Sequence, residues 1–75
     1  MGQLRALPFS EVKRRLERAG FQESTQRGRH GKFVRRSGAH TDTAIVRRKG
    51  EVAVGTLRSI LQQAHIEPEA WDRLA

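Results

Sequence analysis

The 75-residue chain has no cysteine, which excludes both a disulfide framework and a thiolate zinc site. Its three histidines are scattered along the sequence, and no metal or other cofactor is expected. No apolar run approaches the ~20 residues that span a bilayer, and no signal-peptide pattern opens the chain. A cytoplasmic protein without membrane contact is therefore expected. Met1-Gly2 begins like a myristoylation signal, but Ala6 stands where Ser or Thr is required. Aromatic side chains are scarce, with three Phe and one Trp. A domain of this size buries only about 60% of the surface its unfolded chain exposes. Phe33 and Trp71 are accordingly expected in the core and not on a base-stacking surface. There is no internal repeat and no low-complexity segment, so residues 1–75 read as one domain.

Acidic residues are also few, 8 against 15 Lys and Arg, which leaves a net charge of +7. Most of the cations are arginine. The guanidinium group bonds phosphate in pairs of hydrogen bonds and stacks on bases, which an ammonium group does less well. Such a chain reads first as a nucleic-acid binder and second as a binder of acidic protein surfaces. Solubility alone would also account for the charge.

In chain order, Met1–Leu7 is a lead-in whose Leu4 and Leu7 can tuck under the domain. Ser10 reads as a helix N-cap, with Glu11 in the first turn complementing the helix dipole. Val12, Leu16 and Ala19 share one face, and Gly20 is a natural stop, so helix 1 is predicted over about Ser10–Ala19. Phe21–Gln26, Gly31–Arg36 and Thr41–Arg47 read as three strands, joined by turns at Arg27-Gly28-Arg29 and Ser37-Gly38-Ala39. Short turns make them an antiparallel meander. Arg48-Lys49-Gly50 is a basic loop, and Glu51–Val54 reads as extended. Leu57, Ile60, Leu61 and Ala64 then mark an amphipathic helix 2 entered at Gly55-Thr56, with Thr56 as its N-cap. Pro68 opens a short last helix whose Trp71 and Leu74 fold back on the core. The expected fold is α/β, of the α+β kind: one three-stranded antiparallel sheet in the order α-β-β-β-α, with helices on one face.

The stretch Gly28-Arg29-His30-Gly31-Lys32-Phe33 concentrates the chemistry. Histidine exchanges protons near neutrality, and its neighbours Arg27, Arg29 and Lys32 are suited to a phosphodiester's developing negative charge. The flanking glycines remove bulk, so a polymer backbone can approach closely. In RNA the 2′-OH lies beside the scissile phosphorus, so a single base can start an internal attack without a metal. Read this way, His30 is a general base or acid in RNA cleavage; the alternative is a solvated turn histidine.

Four pieces of the sequence, in order, resemble the HicA family, the toxin half of a toxin–antitoxin pair. They are Pro8 and Ser10 before a helix ending in Ala19-Gly20-Phe21; Gly28-x-His30-x-Lys32-Phe33; Gly55–Leu61; and Gln63–Ile66. The resemblance implies a double-stranded-RNA-binding-like fold, ribosome-independent cleavage of mRNA, catalysis by His30, and a HicB-like antitoxin that covers the active site. Arg29 replaces the Ser usual in the family, His65 stands where Gly is usual, and Val46-Arg47 lacks a Pro often found there.

Lys32, assisted by Arg29, is the candidate for stabilising phosphate, against ordinary strand-edge solubility. Arg27 and Gly28 belong to the same turn. Arg35, Arg36, Arg47, Arg48 and Lys49 bracket the second and third strands and read together as an RNA-tracking stripe, or as a solvated basic face. Arg58, placed in the first turn of helix 2 against the dipole, suggests a phosphate or an antitoxin carboxylate as its partner. His40 is expected exposed and idle, with a second proton shuttle as the lesser alternative. His65 is expected to close helix 2 structurally. Two further readings stay open: a non-catalytic binder of A-form RNA, and an inactive module that only binds the antitoxin.

Overall fold

The computed structural model describes residues 3–75; Met1-Gly2, and with them the myristoylation question, lie outside it. The elements are β1 (Leu7–Pro8), α1 (Phe9–Arg18), β2 (Gln22–Arg27), β3 (His30–Ser37), β4 (His40–Arg47), β5 (Glu51–Val52), α2 (Val54–Ala64) and α3 (Pro68–Asp72). The expected meander is present as an antiparallel sheet in the order β2-β3-β4, and the fold is mixed α+β as expected. Both hairpins are two-residue turns, Gly28-Arg29 and Gly38-Ala39. The glycines open them with φ of +56° and +61°, and Arg29 and Ala39 have no positive φ. That is the pattern of a type II′ turn, whose twist matches the flanking strands.

One pairing was not expected. Leu7 pairs with Val52 and Pro8 with Glu51, so β1 and β5 form a separate two-residue ladder. Both long helices leave from it. Pro8 and Ala53 are the N-cap residues, both extended (ψ 152° and 156°), and neither caps its helix through a side chain. Ser10 and Thr56 are therefore inside their helices and not at the caps. The ladder holds the chain extended up to the residue where each helix begins, and this overrides the capping preference of the hydroxyls.

Strand alternation sends Phe33, Ala44 and Val46 to the helix side, where they meet Val12 and Leu16 of α1 and Leu57, Ile60, Leu61 and Ala64 of α2 in one core. Phe33 and Trp71 are fully buried, as expected, and Leu4, Leu7 and Leu74 pack partly buried against the same cluster. Gly20 ends α1 at φ +98°, with Phe21 N–H returned to the Leu16 carbonyl at 2.9 Å. Burying these apolar groups is the main favourable contribution to folding.

Two arginines are drawn into this architecture. Arg15 is buried, lies over the Trp71 ring at 5.3 Å and bonds Glu11 at 2.7 Å. Arg35 stacks over Phe21 at 4.7 Å and donates to the carbonyls of Ala19 and Ala64, at 3.2 and 3.1 Å. A single guanidinium thus satisfies carbonyls at the C-terminal ends of both long helices, groups that an α-helix leaves without internal partners.

Candidate nucleic-acid interface

Among the described residues no helix covers the sheet's second face, and its occupants follow from register. Residues paired across an antiparallel ladder project to the same side. His30 pairs with Arg27 on β2 and with Arg47 on β4, which sets the imidazole between two guanidinium-bearing residues. All three residues are exposed. Among the described residues nothing hydrogen-bonds the His30 ring, so both nitrogens are available to an incoming ligand. Two positions along β3 comes Lys32, paired with Ile45 and exposed. Arg36, paired with Thr41, continues the row. Alternate residues of a strand are roughly 6.8 Å apart, so His30, Lys32 and Arg36 form a line along the central strand. A groove of about 540 Å³ runs beside it, lined among others by Gln22, Lys32, Arg36, Thr41 and Thr43.

Ile45 stands out on this face. At 45% exposure it is the large apolar side chain left open to solvent among the described residues. In the sequence it was one β-branched residue of a strand, and nothing marked it as facing outward.

A family model described as HicA toxin of bacterial toxin-antitoxin matches residues 9–66. The chain belongs to that family. The match runs from the first residue of α1 past the end of α2, so it includes the whole three-stranded sheet of this HicA-family toxin. Membership of a toxin–antitoxin system implies an antitoxin as partner. No curated protein and no solved structure matches the chain. Among the described residues, no helix of the HicA-family toxin is long and apolar enough to cross a membrane.

Not every expected site residue reaches the open face. Arg27, Arg29, Lys32, Arg47 and Lys49 are exposed on or beside it, and Gly28 turns the chain there. Arg35 faces the helices, where its bonds to Asp42 and two carbonyls occupy it. Arg48 is also withdrawn, donating to Glu23 at 2.8 Å and lying over the Phe9 ring at 5.4 Å. Arg58 is exposed in the helix layer. Because α2 begins at Val54, Arg58 is its fifth residue, past the first turn where the dipole acts, and the dipole argument for a partner falls away.

Gly31 has a different role from the one expected. It is buried on the helix side, and a Cβ built there would collide with the Glu23 carboxylate. The missing side chain makes room for the Glu23–Arg48 pair, not for a polymer backbone. His40 is not idle either: its Nε2 lies 3.0 Å from Asp42, which also has Arg35 and His65 as neighbours.

Proposed function

We propose that this HicA-family toxin acts in the cytoplasm, as one domain, as a metal-independent endoribonuclease cleaving mRNA with His30 as general base. The observation that carries the reading is the exposed imidazole between Arg27 and Arg47, at the head of a cationic row on an uncovered sheet face. RNA lies along β3 with phosphates on Lys32 and Arg36. His30 takes the 2′-OH proton, the 2′-oxygen attacks phosphorus, and the P–O5′ bond breaks. The products are a 2′,3′-cyclic phosphate and a 5′-OH whose oxygen takes its proton from water at this open site. Arg27 and Arg47 stabilise the negative charge that grows on the phosphoryl oxygens. Arg29 and Lys49 add sequence-independent attraction to the backbone.

The antitoxin in this reading is HicB-like and lies over the same face. Ile45 gives it an apolar anchor beside the cations Lys32, across the ladder, and Arg47, two positions along β4, an apolar centre with a polar margin as docking patches have.

The test is cleavage of an RNA substrate in the presence of a chelator. Wild type should cut and His30→Ala should bind without cutting. Intact RNA after incubation with folded wild type favours instead the non-catalytic binder. The observation on that side is that the His30 ring has no partner to orient it among the described residues, where general bases are commonly oriented by a third group.

A further inference from the structure

Two of the three histidines, 25 residues apart in sequence, meet at one buried carboxylate. His40 is the first residue of β4, Asp42 lies two positions on, and His65 is the C-cap of α2. The Asp42 oxygen Oδ1 has His40 Nε2 at 3.0 Å and His65 Nδ1 at 2.6 Å. The three atoms lie within 4.8 Å of one another. Asp42 is 5% exposed, while the side chains of His40 and His65 are 68% and 66% exposed. The carboxylate is thus fixed from within and the imidazoles are free to adjust from outside.

We propose that His40, Asp42 and His65 form a binding site for a divalent transition metal, zinc in particular, that ties the end of α2 to β4. Two imidazole nitrogens and one carboxylate oxygen, with further positions open to water, are a donor set for zinc, cobalt or nickel. Magnesium and calcium require more oxygens than this cluster supplies. Tetrahedral bonds of about 2.1 Å set ligand atoms roughly 3.4 Å apart, so each ring nitrogen draws back from Oδ1 by less than about 1 Å while the two nitrogens, within 4.8 Å of each other, approach by at most about 1.4 Å; both rings stand largely in solvent and can make these shifts. Each neutral ring presents a lone pair to the metal and carries its proton on the other nitrogen.

Two further features favour the site. Arg35 bonds the second oxygen of Asp42 at 2.9 Å, which leaves Oδ1 to face the histidines and fixes its direction, as an outer partner does in established metal sites. The positive guanidinium also weakens attraction for a cation, so the affinity expected is micromolar and not nanomolar. In addition, His65 has φ +56°, the one positive value at a non-glycine among the described residues. Glycine would adopt this conformation without the cost of roughly 1 kcal/mol that another residue bears. The imidazole held there is aimed at Asp42.

This site lies at the far end of β3 from His30. His30 pairs with Arg47 at one end of the β3–β4 ladder and Ser37 with His40 at the other, roughly 24 Å away at strand spacing. Zinc binding is therefore independent of the chemistry proposed for His30.

The experiment is titration of the untagged full chain with Zn²⁺ by calorimetry, with Co²⁺ absorbance as a reporter of coordination and thermal melting as a second readout. One Zn²⁺ per chain is expected, with a rise in melting temperature of ~15 °C at a hundredfold excess over Kd. His40→Ala and His65→Gly should each weaken binding at least about tenfold. His65→Gly suits the left-handed cap and His40 is at the surface, so both variants should fold, which melting without metal checks. His30→Ala should bind Zn²⁺ as wild type does. Affinity weaker than millimolar, binding unchanged in both ligand variants, or binding lost in His30→Ala would each overturn the site.

Discussion

Arg35 on β3 and Asp42 on β4 face each other across the ladder, with Nη2 2.9 Å from Oδ2, on the side of the sheet that the helices cover. The pair joins both long helices to the sheet, since the same guanidinium reaches the carbonyls of Ala19 and Ala64. Together with His65, it holds the Asp42 carboxyl down to about 2, the Arg35 bond being the larger cause. The adjacent Arg36 points the other way, into the open groove.

These neighbours should therefore respond in opposite ways to alanine. Arg35→Ala leaves a buried carboxylate and two helix-end carbonyls without their donor, and should cost about 2–3 kcal/mol of stability. A lower urea midpoint at unchanged slope would report it. Arg36→Ala should leave the midpoint unchanged, weaken RNA binding and flatten the salt dependence by about 0.7 in log–log slope. Equal stability losses in the two variants would contradict the placement.

Gly31 gives a test of the buried face. In Gly31→Ala the new methyl displaces the Glu23 carboxylate from Arg48, for an expected loss of about 2 kcal/mol. With Glu23→Ala already made, the same change should be near neutral or slightly stabilising, because alanine orders at lower entropic cost than glycine in a strand. A double-mutant cycle by denaturant melts reads the coupling. Additive losses would mean that Gly31 is required for some other reason.

Acid sensitivity should include a contribution from Glu11. Hydrogen bonds from Arg14 first, then Arg15, lower its carboxyl from 4.5 to about 2. The folded value is depressed, so the contribution is complete above pH 4.5 and disappears as pH falls toward 2. Glu11→Gln should be less stable than wild type at pH 7, and the two should converge near pH 2. Taking the difference between the two curves cancels the parallel titration of Asp42. A gap that persists unchanged at pH 2 would show that the cost is packing and not charge.

How far the sequence was legible follows the length of its patterns. Leu57, Ile60, Leu61 and Ala64 repeat over a full helix, and glycines mark each turn of the meander, so α1 and β2–β4 are legible to within one or two residues, while α2 begins three residues before the start that Thr56 suggests. The β1–β5 ladder has two residues per strand, too few to show a period, and its absence from the reading moved both helix starts. The basic residues of β3 and β4 cluster in sequence as one stripe, but strand parity divides them between two faces. Arg35 and Arg36 are consecutive and must face opposite sides. The cluster of His40, Asp42 and His65 had no local signal, because its parts come from a strand start and a helix end that only tertiary folding brings together.

The second consecutive pair, Arg47 and Arg48, divides the candidate site from its support and gives its sharpest test. Arg47 closes β4 opposite His30 and is exposed. Arg48 turns inward to Glu23 and Phe9, and its backbone N–H bonds the Arg29 carbonyl, so it steadies the turn that carries His30. If Arg47 stabilises the reacting phosphate, Arg47→Ala should lower kcat/KM for RNA cleavage about 10- to 100-fold with the melting temperature unchanged. Arg48→Ala should instead cost about 1–2 kcal/mol of stability, with a smaller change in rate at temperatures where the variant stays folded. Arg47→Lys separates charge from geometry, since an ammonium keeps the charge but loses the two-pronged contact, and intermediate activity is expected. A rate loss confined to Arg48→Ala would move the phosphate site off the open face and toward the Gly28-Arg29 turn.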